Sequence, residues 1–219
     1  MKRVQLFLVS MAMLSNFGAL AKDNAANAGD GTPKTKQEIE AALTNFRISC
    51  DIVSDGKPAF HFFQARCAEG WAATITTDDK DLLVVDKAGK KVYMLDRNAK
   101  TGQWGPYVPE MEEYYPAGIY LSYFFINTSY FNDSKFKRTD RTETVAGRKA
   151  TVYTYEYADG TGTFWIDNEF GCTLKYVQVA TESGAHNIHV EVTEFKVGGV
   201  TVANMVNLSQ YKLTKGKEN

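Results

Sequence analysis

Between Ala146 and Gly198 the chain alternates short β-rich runs with tight turns so regularly that few folds can hold it. Arg148–Tyr157 leads through Ala158-Asp159-Gly160-Thr161 into Gly162–Asp167. Asn168–Cys172 then leads into Thr173–Ala180, and Thr181–Ala185 into His186–Phe195. Asp-Gly between two such runs favours a hairpin, because glycine takes positive φ without a Cβ clash. Four strands in succession, joined by about four or five residues each, leave no length for a crossover and predict an antiparallel meander.

The same style recurs upstream. In Asn45–Val53, Phe46, Ile48, Cys50 and Ile52 alternate with polar residues, the period of a strand wet on one face. Ser54-Asp55-Gly56-Lys57 turns into Pro58–Cys67, followed by Trp71–Thr77, Asp81–Asp86 and Lys90–Asp96. Ahead of them, Thr35-Lys36-Gln37-Glu38 is a capping box, and Ile39, Ala42, Leu43 and Phe46 follow at helical spacing. Asn98–Arg138 breaks the rhythm with Pro106, Pro109 and Pro116; Ile119, Tyr123, Ile126 and Tyr130 suggest one or two helices lying over the sheet as a lid. Thr142–Val145 resumes the strands, and Val200–Leu213 is a tail strand or loop before the charged Lys215–Asn219. The expected fold is α+β and β-rich: one domain over residues 35–214, a strongly curved antiparallel half-barrel of about ten strands with a few helices on its concave face.

The first 21 residues read as a secretory signal. Lys2-Arg3 is a basic start, Val4–Leu14 an apolar run, and Ala19-Leu20-Ala21 a small-x-small cleavage site, which predicts export and a mature start at Lys22. The apolar run is shorter than the roughly 20 residues a spanning helix needs, so no membrane span is expected after cleavage. Lys22–Pro33 has the composition of a disordered leader. Removing Lys2 and Arg3 leaves 23 basic against 26 acidic residues, a net charge of −3 that gives no footprint for nucleic acid.

Certain strand signatures are more specific. Gly147-Arg148-Lys149-Ala150, Tyr153-Thr154-Tyr155, Phe164-Trp165-Ile166-Asp167, Gly171-Cys172-Thr173-Leu174-Lys175-Tyr176 and Val192-Thr193-Glu194-Phe195, preceded by the Thr35–Phe46 helix, resemble the LolA-like superfamily. These are exported outer-membrane lipoprotein carrier and sorting proteins and their uncharacterised relatives. The resemblance implies a periplasmic half-barrel whose concave face, covered by helices, leaves a hydrophobic cavity for acyl chains. No position matches the carrier's lid-locking arginine, so the chain looks like a divergent relative of unknown ligand.

No residue pattern requires a metal or cofactor, and none assembles a catalytic site. Cys50, Cys67 and Cys172 are odd in number and lack zinc spacing; with Cys50 facing a residue near His61 and Cys67 near Thr44, those two are not expected to bridge, and a bridge from Cys172 to one of them stays open in an oxidising compartment. His186 and His189, three apart on a strand, point to opposite faces. No Gly-x-Ser-x-Gly elbow occurs, and the carboxylates of Asp78–Asp81 and Glu110–Glu113 sit in solvated loops. The aromatic residues are more informative: thirteen Phe, twelve Tyr and three Trp. With Tyr155 opposite Phe164, one face collects Tyr153, Tyr155, Tyr157, Phe164, Ile166, Leu174 and Tyr176, while Trp165 and Lys175 share the other. The expected ligand wall is Tyr153, Tyr155, Phe164, Ile166, Leu174 and Tyr176, with Ile48 and Phe62 from the first meander and Tyr120, Tyr123 and Phe124 from the lid. The alternative is a filled core on an envelope protein-interaction module, with an exposed Trp165 and the Gln103–Pro116 loop meeting a protein partner.

Overall fold

In the computed structural model, which describes residues 29–74, 80–110, 124, 130–131, 133–181 and 186–216, the two hairpin series merge into one open, strongly curved sheet. The first series is β1 (Phe46–Ser54), β2 (Lys57–Cys67), β3 (Gly70–Thr74), β4 (Asp81–Asp86), β5 (Lys91–Asp96) and β6 (Thr101–Pro106). The second is β7 (Lys137–Val145), β8 (Arg148–Glu156), β9 (Gly160–Asp167), β10 (Thr173–Ala180) and β11 (Ile188–Val197), and a last strand, β12 (Lys212–Lys215), follows. The order is β12-β6-β5-β4-β3-β2-β1-β11-β10-β9-β8-β7. Every neighbouring pair is antiparallel except β12 with β6, which is parallel.

Two turns show why the hairpins form where they do. Ser54 pairs with Lys57 across Asp55 and Gly56, both at positive φ (50° and 73°). Val145 pairs with Arg148 across Ala146 and Gly147, again both positive (50° and 75°). Two left-handed residues in a two-residue loop match the right-handed twist of the strands they join.

One face of the sheet is apolar along most of its length, the other over the β2–β5 half only. On the concave face, helix α1 (Lys36–Ala42) buries Ile39, and Leu43 just beyond it, against β1 and β8–β11; the capping box is present, with Glu38 N–H donating to Thr35 Oγ1 and Thr35 N–H to Glu38 Oε2. On the opposite face, Phe63, Ala65, Cys67, Ala72, Leu82, Val84, Tyr93 and Leu95 are covered by Val200 and Met205 from the segment that follows β11. That segment contains α2 (Val202–Met205) and a 3-10 turn (Leu208–Gln210) before β12. Asn45 clamps its start: the Asn45 amide donates to the Val200 carbonyl at 2.8 Å and accepts from the Val200 N–H at 2.9 Å.

The sheet therefore has twelve strands among the described residues, more than the sequence suggests. β6 lies in the stretch where the prolines interrupt the rhythm, and β7 begins at Lys137 rather than Thr142. The outer half of β7 offers no apolar period, because Lys137–Asp140 is exposed or half-exposed and polar, as suits an edge strand that must repel further pairing. Residues 1–28, with the signal and most of the leader, lie outside the described residues. From Asp30 onward the chain is held: Arg138 donates to the Asp30 carbonyl at 2.8 Å, and the Lys34 N–H to the Gly171 carbonyl at 3.0 Å. The lid segment, residues 111–123 and 125–129, is also outside the described residues.

Cys50, Cys67 and Cys172 are all free and buried, and Cys50 faces Phe62, next to His61, as the expected register has it. Burial pushes the Cys50 thiol up to about 12 and raises Cys172 well above its ordinary 9.0. Ellman's reagent at pH 8 is expected to leave both untouched in the folded protein and to count three thiols after unfolding. The linkage sign follows: between pH 9.0 and about 12 the unfolded chain loses the Cys50 proton while the folded chain keeps it, so stability falls as pH rises through that window.

Candidate ligand-binding face

The site is built by register. Tyr153 of β8 lies opposite Phe164 of β9, Phe164 opposite Tyr176 of β10, Tyr176 opposite Val190 of β11, and Val190 opposite Ile52 of β1. Residues directly opposed on antiparallel strands share a face, so these five form one cross-strand row. The expected pairing sets Tyr155 opposite Phe164; the observed register differs from it by two residues. Two is the side-chain period of a strand, so every residue keeps its assigned face. A bulge between Thr173 and Lys175 admits Leu174, which packs in the same core.

Tyr153, Phe164, Ile166, Leu174, Tyr176, Ile48, Phe62 and Phe124 are all buried in one cluster, with Tyr155 half-buried against it. Tyr120 and Tyr123 lie outside the described residues. Phe124 stands edge-on to Phe195, ring centroids 5.5 Å apart. Three rings that the expected wall leaves out complete the aromatic end. Phe136 stacks on Tyr153 at 4.9 Å and meets Phe164 edge-on at 5.7 Å, while Tyr130 lies 4.5 Å from Tyr155 and Tyr157 lies 4.7 Å from it. Phe136 precedes β7 in a polar loop, where no periodicity could mark it as inward-facing. Gly162 makes room for this arrangement: a Cβ there would come within 2.7 Å of the Tyr157 ring and 3.2 Å of the Phe164 and Tyr176 rings.

The phenols keep the face uncharged. Tyr155 Oη donates to Asp133 Oδ2 at 2.8 Å, which raises the phenol's pKa; the Lys135 amide and this phenol hold the Asp133 carboxyl below its usual range. Tyr176 Oη is 2.7 Å from Gln178 Oε1 and 3.1 Å from Tyr157 Oη. A phenol has one proton, so Tyr176 donates to Gln178 and accepts from Tyr157. Burial raises Tyr157 well above the usual phenol range.

One end of the face is closed by an ion pair that the sequence does not announce. Arg148 Nε and a terminal nitrogen hold Asp167 at 2.5 and 3.1 Å, and the guanidinium lies 4.9 Å over Phe170 and 5.0 Å over Phe195. Asp167 also accepts the Glu169 and Phe170 N–H groups. Burial works against the charge on Arg148, but its hydrogen bonds to Asp167 and Glu169 outweigh it and keep the guanidinium protonated.

The opposite face over β1 and β9–β11 is wet and ion-paired, with Arg47 on Glu194 at 3.1 Å and Lys175 on Glu191 at 3.0 Å. Trp165 does share this face with Lys175, but it is not an exposed contact residue. It is 7% exposed, its indole N–H donates to Glu143 Oε2 at 2.8 Å, and the Lys175 ammonium sits 5.2 Å over its ring. Likewise Gln103–Pro106 belongs to β6 rather than to a loop. Each histidine has a carboxylate neighbour: His61 with Asp51 at 2.5 Å, His186 with Asp55 at 2.6 Å and His189 with Glu191 at 3.0 Å. His186 precedes β11 instead of lying on it. Among the described residues no group of three or more His, Cys, Asp or Glu could hold a metal, and no helix is long and apolar enough to cross a membrane.

No protein-family model and no curated protein sequence matches the chain. Solved structures do. An uncharacterized conserved protein from Thermus thermophilus is 11% identical, with a TM-score of 0.37 over 82% of this chain and 96% of its own. A chain of the Pseudomonas aeruginosa MucA/MucB complex is 13% identical, TM-score 0.41, over 81% of this chain and 61% of its own. A LolA superfamily protein from Nitrosomonas europaea is 8% identical, TM-score 0.28, over 80% of this chain and 98% of its own. The family that the strand signatures resemble is thus among the structural neighbours. Likenesses at this level carry neither ligand nor activity from one chain to another.

Proposed function

We propose that this chain is an exported, periplasmic, non-catalytic protein that binds a hydrophobic ligand, a lipid or the acyl chains of a lipoprotein, against the concave face of its sheet. The observation that supports this reading is the extent of that face. The registers place on it Tyr153 of β8, Phe164, Tyr176, Val190, Ile52 and Phe62 and, past Gln64 and Arg66 of β2, Trp71, Leu83, Val85 and Val92 on β3–β5. A face of this length is the kind of surface that takes an elongated apolar ligand, and its neutral phenols add orientation without charge. The basic start and small-x-small site at Ala19-Leu20-Ala21 support export. Native mass spectrometry of the protein purified without detergent is expected to show a bound species removable by organic extraction. A bare chain that also fails to take up added phospholipid or fatty acid would sink this reading.

One observation favours a second reading, an interaction module with a filled core. At β8–β10 the rings lie directly on one another, Tyr153 on Phe136 and Tyr155 on Tyr130, so the protein's own aromatic side chains cover that stretch of the face. Cross-linking in intact cells separates the two readings: a partner captured by a chain that carries no lipid supports the second.

A further inference from the structure

On the concave face, one cross-strand row runs Val85, Trp71, Arg66, Phe46 from β4 to β1. Val85, Trp71 and Phe46 are each 1% exposed, and half-buried Arg66 is the charge set among them. A guanidinium on an apolar row is costly unless an anion answers it. Among the described residues Arg66 forms no ion pair and no side-chain hydrogen bond. Beside it opens a cleft of about 230 Å³ lined by Thr44, Asn45, Arg66, Cys67, Trp71 and Lys87. Among the described residues no carboxylate lines it. In the adjoining turns, Glu69 is held by the Cys67 thiol, and Asp86 accepts the Gly89 N–H at 2.7 Å. The Asn45 amide is committed to Val200, so the cleft's chemistry is that of the Arg66 guanidinium and a hydroxyl beside an indole.

We propose that this cleft is an oxyanion site that takes the carboxylate or phosphate headgroup of an anionic amphiphile. Arg66 supplies a planar fork suited to two oxygens. The size fits: water occupies roughly 30 Å³ in the liquid, so the cleft holds a headgroup and a few waters but not a whole lipid. The apolar row leading away from Arg66 would receive the tail. The tail's placement rests on the binding reading above; the headgroup's does not.

The test measures binding of laurate, its neutral glyceryl ester monolaurin, and inorganic phosphate to the mature protein and to Arg66→Met and Arg66→Lys. Methionine suits the apolar row, and a circular dichroism spectrum matching wild type shows that the variant folds. Laurate affinity is expected to fall about tenfold or more in Arg66→Met, the loss of a charge-assisted hydrogen-bonding group, and to recover in part in Arg66→Lys. Monolaurin is expected to bind the wild type and Arg66→Met equally. Laurate binding unaffected by Arg66→Met overturns the proposal, as does binding of neither laurate nor phosphate. Phosphate binding as tight as laurate's overturns the headgroup assignment in favour of a free anion. Arg66-dependent phosphate binding with neither amphiphile bound upholds the oxyanion site and removes the apolar-ligand reading instead.

Discussion

Replacing Asp167 with alanine is expected to destabilise the protein by about 3–5 kcal/mol, the range for removing one partner of a buried ion pair. Asp167 is fully buried, and four donors converge on it: two from Arg148 and the N–H groups of Glu169 and Phe170. Alanine would leave the guanidinium facing a void above Phe170 and Phe195, with two turn amides unanswered. Arg148→Met should cost less, because the carboxylate keeps its two backbone donors and methionine can fill the space over the rings. Urea unfolding with an unchanged slope reads both losses as a shift in midpoint. A loss below about 1 kcal/mol for Asp167→Ala would show that the pair is structurally idle.

The second large effect is expected at Phe164, which lies in the middle of the aromatic row. Its ring is buried, 4.7 Å from Tyr176 and 5.7 Å from Phe136. Phe164→Ala should cost about 3–5 kcal/mol through lost transfer energy and the cavity left between rings that cannot all close on it. Phe164→Leu keeps most of the volume and should cost clearly less. Thermal and urea unfolding measure the difference. Native mass spectrometry on the same two variants adds a functional reading, because a ligand resting on this row should change in occupancy when the row loses its central ring. An alanine variant as stable as wild type would mean that Phe164 borders open space.

These effects fall on residues of very different legibility. The hairpins can be read because their turns are local: Asp55-Gly56 and Ala146-Gly147 state their own geometry within two residues. The aromatic face can be read because strand period is two, and even a register placed two residues away leaves Tyr153, Phe164 and Tyr176 together. Distant partners cannot be read. Arg148 and Asp167 face each other only because β8 and β9 pair, and nothing in Gly147-Arg148-Lys149 distinguishes that arginine from a solvated one. The outer half of β7 lacks an apolar period since an edge strand needs none, and β6, with two glycines and a proline in six residues, carries none either. Trp165 reads as a contact residue, because a sheet's second face is usually wet; Lys175 closing over it comes from the neighbouring β10 and Glu143 from β7, two strands away. The cover over the second apolar face, Val200 to Met205, follows a pair of glycines, Gly198 and Gly199, both at positive φ, and carries no strand or long-helix pattern.

The pairing of β1 with β11 has a kinetic meaning. Each hairpin series can zip locally, but among the described strands the two series pair along one seam, β1 with β11, from Phe46 opposite Val197 to Ser54 opposite Ile188. Until that seam closes, β1 has one bare edge, α1 has half of its docking surface missing, and the aromatic row ends in water. Closing it means bringing together residues more than a hundred positions apart, a loop entropy that must be lost before any packing repays it. The cooperative core is therefore late to form. A newly made chain stays extensible, with unpaired strand edges exposed, until its eleventh strand has been made.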